Sequence, residues 1–324
     1  LTTLTTPPSR PASHGSIQRR HTVRVAAVAL ALLLALSACG NAAGATAANP
    51  SSTERGVRDI SEGVQPDPKA VGLVPQSIKD KGELTVSTDL HDPPTDFLAE
   101  DNQTPIGLNP DIARLIAKKL DLRLKFVDTK FDSIIPGLDG GRFDFTVSSM
   151  AKTEERLKVL DMIDYFKGGT SIGVNAGNPQ NFTNETLCGK DVAVTQGSTG
   201  QLLRLPALSE KTCVSQGKPA INPVTLPNVQ EALVQLHAKR IDAILYDTTA
   251  LAWAQTQQPG SFQMLTPPLN VGGTGITAVG LKKGSPLTPA MQAAIQSILG
   301  TPEYKEALET WGLEFGAIAD AKLN

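Results

Sequence analysis

Apolar and polar positions follow two periods along this chain, and from residue 83 onward the two periods take turns. Glu83-Leu-Thr-Val-Ser-Thr-Asp89 reads as a strand running into a turn at Pro93-Pro94. Ile112, Leu115, Ile116 and Leu120 then recur on one helical face. Ahead of them Asn109 suits a cap, Pro110 the first helical position and Asp111 the first turn. Leu122 to Val127 reads as a strand, Phe131 to Leu138 as a short helix, and Arg142 to Val147 as the next strand. Strands alternating with helices predict parallel βα units and an α/β fold.

A second series begins near Val174. Val192-Ala-Val194 reads as a strand, followed by Gln196-Gly-Ser-Thr-Gly200 and a helix through Leu205. Asn228-Val-Gln-Glu231 is a capping box, with Ala232, Leu233 and Leu236 on one face behind it, and Ile241 to Asp247 is the next strand. The two series rhyme: Leu138-Asp-Gly-Gly-Arg-Phe-Asp144 introduces one strand, Leu236-His-Ala-Lys-Arg-Ile-Asp242 the other. The first strand ends at Ser148-Ser149, the second at Tyr246-Asp247. This predicts two lobes of similar topology. Ligands of open α/β sheets sit at the carboxyl ends of the strands, so these two ends are expected to face each other across a cleft. The tail supplies a strand, Ile276 to Leu281, and two helices between Pro289 and Trp311.

Beyond Ser149, Thr153-Glu-Glu-Arg156 reads as a helix start with Thr153 as its cap. A cation in the first turn opposes the helix dipole. Arg156 is therefore either a solvated surface residue or a fork that grips a carboxylate.

The first 77 residues have another character. A basic patch ending at Arg24 precedes an apolar run from Val25 to Leu36, the layout of a secretory signal over residues 1–38. The run is too short to span a bilayer core, which takes about 20 residues. Leu36-Ser37-Ala38-Cys39-Gly40 resembles a bacterial lipobox, in which Cys39 is lipidated; the alternative is an ordinary signal with a chance cysteine. Residues 39–77 are rich in Ala, Ser, Gly and Pro without apolar period and read as a flexible tether. The chain opens on Leu1 ahead of a long leading segment, which suggests a later start or a non-standard start codon.

Composition narrows the function classes. The 324 residues are 40% hydrophobic and 19% charged, an ordinary balance for about two domains. Removing the leader's four arginines leaves 26 basic against 32 acidic residues, a net charge of −6. An acidic body without a basic run argues against a nucleic-acid partner. No Cys/His set has metal-ligand spacing, and no cofactor motif stands out. Gly272-Gly-Thr-Gly275 reads as a turn beside a hinge, Ser198 does not sit in a nucleophile elbow, and His91 reads as a polar turn residue.

In this order and spacing the motifs resemble extracytoplasmic solute-binding proteins of polar-amino-acid ABC transporters (family 3), of the actinobacterial lipoprotein type. The residues that carry the resemblance are Thr88-Asp89 with Pro93-Pro94, Phe131-x-x-Ile-Ile-Pro-x-Leu138, Met150-x-x-Thr-x-Glu-Arg156, Gln196-Gly-Ser-Thr199, Asp247 and Trp311-Gly. It implies a two-lobed periplasmic-binding-protein-like fold (type II) with two crossover hinge strands, near Ser171–Val174 and Thr277–Val279. Residues 78–173 plus 279–324 would form lobe 1 and residues 174–278 lobe 2. Arg156 would hold a ligand α-carboxylate, helped by Ser149 and by backbone groups at Ala151 and Thr199. Asp247 would hold the α-ammonium and Phe131 would stack on the ligand. The physical chemistry agrees, since a zwitterion leaves water only if both charges are paired. Gly197-Ser198-Thr199, between strand and helix, can turn N–H groups towards an anion. The implied partners are an ABC permease, its ATPase and a membrane reached through the lipid anchor, with the receptor a monomer.

The departures from the family matter. Asp92 and Thr95 stand where family members often carry aromatics, Ala151 where Ser or Thr is usual, and Leu108-Asn109 where Phe and Asp are frequent. The pocket is expected to be more acidic, with Asp89, Asp92 and Asp96 near a cationic or amide side chain; alternatively Asp92 and Asp96 point to solvent. Once Cys39 is lipidated, Cys188 and Cys213 remain, and outside the membrane such a pair usually bonds. The chain is expected not to be an enzyme. The competing readings are a cyclohexadienyl/prephenate-type dehydratase, which would need Asp89 or Asp92 with a raised pKa as general acid, and a ligand-binding sensor.

Overall fold

The structure, a computed structural model, describes residues 58–269 and 275–324. The signal peptide, Cys39 and most of the Gly272–Gly275 turn lie outside the described residues.

The strands in chain order are β1 (Glu83–Thr88), β2 (His91–Asp92), β3 (Asp96–Leu98), β4 (Pro105–Ile106), β5 (Arg123–Asp128) and β6 (Phe145–Thr146). They continue as β7 (Leu160–Lys167), β8 (Thr170–Asn175), β9 (Asp191–Thr195), β10 (Asn222–Leu226), β11 (Ala243–Asp247), β12 (Phe262–Met264) and β13 (Ile276–Lys282). One five-stranded sheet has the order β5-β1-β6-β13-β7, the other β10-β9-β11-β8-β12. In each, three parallel strands are joined by an antiparallel pair. The rhyme in the sequence is thus a repeat of topology, and the fold is two-lobed α/β. A small antiparallel sheet, β2-β3-β4, sits beside the first.

The chain leaves the first sheet at Gly168–Gly169, between β7 and β8, and re-enters it at Gly275, before β13. The two crossings touch: the Gly168 N–H donates to the Gly275 carbonyl at 2.8 Å, and a Cβ on Gly275 would lie 2.6 Å from the Gly168 oxygen. With φ at +73° as well, position 275 admits little but glycine. The sequence reading set the crossings a few residues later. Residues 171–174 and 277–279 are instead buried inside β8 and β13, where they carry ladder hydrogen bonds.

Each sheet is covered on both faces. Helix Leu108–Lys119 buries Ile112, Leu115, Ile116 and Leu120 on the first sheet. The C-terminal helices Thr288–Ile298 and Pro302–Trp311 join that same core, which assigns the tail to lobe 1. Ile134, Leu138, Phe143 and Met150 cover its other face. In lobe 2, Leu205, Leu208 and Ile221 lie in one cluster and Val229, Ala232 and Leu236 in another. Fully buried aliphatic side chains of this size contribute roughly 1.5–3 kcal/mol each.

Two local expectations are corrected. The stretch read as tether is structured from residue 58 onward. Asp67 Oδ1 caps helix Pro68–Leu73 by accepting from the Lys69 and Ala70 N–H groups, and Ile60, Ala70 and Val74 are buried in the lobe 1 core. Polar composition concealed three apolar anchors and a cap. Asn109 does not cap its helix: it lies within Leu108–Lys119, buried, with its amide turned towards the cleft. The Asn228 cap, in contrast, accepts from the Glu231 N–H at 3.0 Å.

Cys188 and Cys213 are joined by a disulfide. The loop it closes holds β9, the Gly197–Thr199 turn and helix Leu205–Thr212. Replacing both cysteines by alanine is expected to cost about 3 kcal/mol by the chain-entropy estimate. Urea unfolding would show this as a lower midpoint, and an unchanged midpoint would refute it.

Candidate functional site

Four strand ends converge on one cleft of about 860 Å³, open solvent at its mouth included. From lobe 1 it is lined by Asp89, Asp92, Phe131, Ser149, Ala151 and Arg156, and from lobe 2 by Ser198, Thr199 and Asp247. All nine residues proposed from the sequence therefore meet there.

Arg156 is the third residue of the short helix that follows β6. Thr153 caps that helix by accepting from the Arg156 N–H at 3.2 Å. The side chain turns inward and is 6% exposed. Its guanidinium donates from Nη1 to the Ala151 carbonyl at 2.8 Å and from Nη2 to the Gly197 carbonyl of the other lobe at 3.0 Å. It also lies 5.4 Å from the Phe131 ring centroid, a cation–π distance. Burial pulls its pKa down to about 10, opposed by Asp247, so it stays charged at neutral pH. Gly197 sits against lobe 1 so closely that a Cβ would come within 3.2 Å of the Asp132 Cα.

Ser149 takes a left-handed conformation, φ +47°, uncommon for a residue with a Cβ. A buried network holds it there. Its N–H donates to the Tyr165 hydroxyl at 3.2 Å, and its Oγ accepts from Asn109 Nδ2 at 3.1 Å. The Tyr165 hydroxyl in turn donates to Asn109 Oδ1 at 2.6 Å. Asn109 also donates to Asp96, which accepts from the Thr88 hydroxyl at 3.2 Å. Asp96 is thus a buried structural acid at the cleft wall, not a solvent-facing turn residue.

The Gly197–Thr199 turn offers less to an anion than its position suggested. The Gly197 N–H is taken by Gln201 Oε1 and that of Ser198 by the Thr195 carbonyl, which leaves Thr199. On the opposite strand end, Asp247 stands at the start of helix Thr248–Gln257 without capping it, so its carboxylate is free for the cleft. Burial raises its pKa to about 6, although Arg204 and Arg156 act to lower it.

Arg204 escaped the sequence reading. It ends a π-helical turn, Gly200–Arg204, is buried and lines the cleft beside Asp247. Its position inside an apolar helical run, Leu202-Leu203-Arg204-Leu205, was the available signal. Tyr246 was also missed as a lining residue.

Asp92 keeps one carboxylate oxygen unanswered, as Thr195 Oγ1 and Arg204 Nε on the same cleft also go unanswered. Its Oδ1 is closed off from solvent and has no hydrogen-bond partner. Burial first, then Asp247 and Asp89, push its pKa well up, while Tyr246 and Thr95 act the other way. Asp89 accepts from the Phe131 N–H at 3.1 Å and pairs with His91 at 2.9 Å; burial raises its pKa too. Asp89, His91 and Asp128 bring three ligand-type atoms within 4.8 Å of one another, which the sequence spacing did not suggest. Those acids already accept from backbone N–H groups of Phe131 and Leu90, and His91 and Asp128 are exposed.

The sequence matches the bacterial extracellular solute-binding proteins, family 3, over residues 84–314. The chain belongs to this family. It is 27% identical to the arginine-binding protein ArgT of Corynebacterium glutamicum over 84% of this chain and 88% of that protein. Among solved structures, an ancestral arginine-binding protein bound to arginine superposes with a TM-score of 0.63 at 28% identity, covering 71% of this chain and 98% of the other. The ancestral arginine-binding protein bound to glutamine gives 0.62 at 29% identity, covering 71% and 97%.

Asp92, Asp96, Asp111 (pKa about 7, buried against Trp311) and Asp247 all bind protons more tightly folded than unfolded. Their contribution is fully present below about pH 4 and is lost as pH rises through their folded values. Asp67, Asp101 and Asp161 have lowered pKa values and act oppositely, only below about pH 4. The ligand-free protein is therefore expected to melt at a higher temperature at pH 5 than at pH 8. Asp111→Asn, outside the cleft, should flatten part of that slope. Melting curves at matched ionic strength that rise with pH would contradict the assignment.

Proposed function

We propose that this protein is a lipid-anchored extracytoplasmic receptor that binds a polar amino acid between two closing lobes and delivers it to an ABC permease and its ATPase. The observation that carries the reading is that Arg156 and Asp247, opposite charges from different lobes, line one cleft. Arg156 takes the α-carboxylate with the Thr199 N–H and Ser149; Asp247 takes the α-ammonium; Phe131 packs along the ligand. Contacts such as Arg156 to the Gly197 carbonyl already join the lobes, and closure around a ligand excludes water and strengthens both charge pairs. The arginine- and glutamine-binding relatives support a polar amino acid as the ligand. The Cys39 anchor and the segment after it would keep the receptor at the membrane as a monomer.

The dehydratase reading required a cleft acid with a raised pKa, and Asp92 meets that condition. The receptor reading is preferred because the cleft also supplies opposed charges suited to both α-groups, and because the relatives are binding proteins.

Arg156→Ala removes one partner of a charge pair that ligand binding buries, an effect of about 3–5 kcal/mol or roughly 10²–10⁴ in affinity. Calorimetry with the twenty amino acids should find ligands that the native protein binds and the variant does not. Unchanged affinity in the variant would overturn the site. Turnover of cyclic acids by the native protein would instead favour the dehydratase.

A further inference from the structure

The cleft is lined by more acids than bases. Asp89, Asp92, Asp96 and Asp247 line it against Arg156 and Arg204. The two arginines stand near Asp247: both oppose the rise in its pKa. Asp96 is engaged by Thr88 and Asn109, and Asp89 by Phe131 and His91. Asp92 has no such settlement. Its nearest help is the Thr95 hydroxyl, at 3.5 Å from Oδ2, and Tyr246 across the cleft. Its other oxygen, Oδ1, is shut off from water and unpartnered.

A carboxylate oxygen in that condition is costly, and a partner that arrives with the ligand would relieve it. The α-groups of an amino acid do not supply one, because the reading above assigns them to Arg156 and Asp247. Arg204, the other cleft cation, acts on Asp247 and is not among the groups acting on Asp92, so the positive partner that Asp92 lacks is one the ligand's side chain can bring. We propose that Asp92 is the specificity-determining residue of this receptor, and that its Oδ1 pairs with a cationic side-chain group, ammonium or guanidinium, so that cationic amino acids are selected over neutral amides of similar size. Phe131 stands on the lobe 1 wall at the carboxylate end, its ring centroid 5.4 Å from the Arg156 guanidinium carbon. The inference rests on the receptor reading and deepens it.

The test compares arginine with citrulline, which has nearly the same shape without the charge, and lysine with glutamine. The native protein should bind the cationic member of each pair at least ~100-fold more tightly, the effect of leaving a buried charge unpaired. In Asp92→Asn each ratio should fall below about 10-fold, mainly through loss of the cationic ligand. Using ratios within one protein separates selectivity from any general weakening of the fold. If citrulline and glutamine bind the native protein as tightly as their cationic partners, and Arg156→Ala abolishes all four, the receptor reading stands and this proposal falls. An unchanged ratio in Asp92→Asn also overturns it. If no amino acid binds the native protein, both fall together.

Discussion

A guanidinium taken out of water must have its donors answered, and Arg156 is placed so that the answer comes from both lobes. Among the described residues no carboxylate forms an ion pair with it; two backbone carbonyls and an aromatic face hold it instead. That leaves its charge largely uncompensated, which is the condition under which an incoming carboxylate gains most. The rest of the cleft follows from this. The strained Ser149 backbone, the Asn109–Tyr165 network behind it and the close approach of Gly197 to Asp132 fix the surroundings of one cation.

The two lobes repeat one topology but use it differently. In lobe 1 the short helix after β6 delivers the cation; in lobe 2 the end of β11 delivers the anion. Neither lobe holds a complete site. A sheet edge or a loop can drift without consequence in many proteins, but here any change in lobe spacing alters the distance between two buried charges. The glycines at the crossings are hydrogen-bonded to each other at the point where the chain passes between the lobes.

Much of this was legible in the sequence for a specific reason. Arg156 broke a local electrostatic rule in a helix's first turn, and the paired strand motifs gave it a counterpart in Asp247. The apolar face of Ile112, Leu115, Ile116 and Leu120 was equally plain, because period alone decides it. What was hidden depends on contacts distant in sequence. Asn109 looked like a cap because local chemistry allows it, yet Asp96, Ser149 and Tyr165 claim its amide in the folded chain. Arg204 sat among leucines in a helical run, and only the π-helical turn brings it to the cleft. The segment before residue 78 looked like tether because its apolar residues follow no helical or strand period. Their helix packs against helix Thr288–Ile298, which lies more than two hundred residues away.

The chain contains two tryptophans, and they belong to different lobes. Trp253 comes from the helix after Asp247 and Trp311 from the C-terminal helix of lobe 1; their ring centroids are 6.3 Å apart, with Phe97 against both. Indole emission responds to the polarity and quenching of its immediate surroundings; Trp253 meets Phe97 and Trp311 across the lobes, whereas Trp311 is also held inside lobe 1 by Asp111 and Phe97. If the lobes part as proposed for ligand exchange, Trp253 emission reports it, and the chain's other indole sits at the same contact.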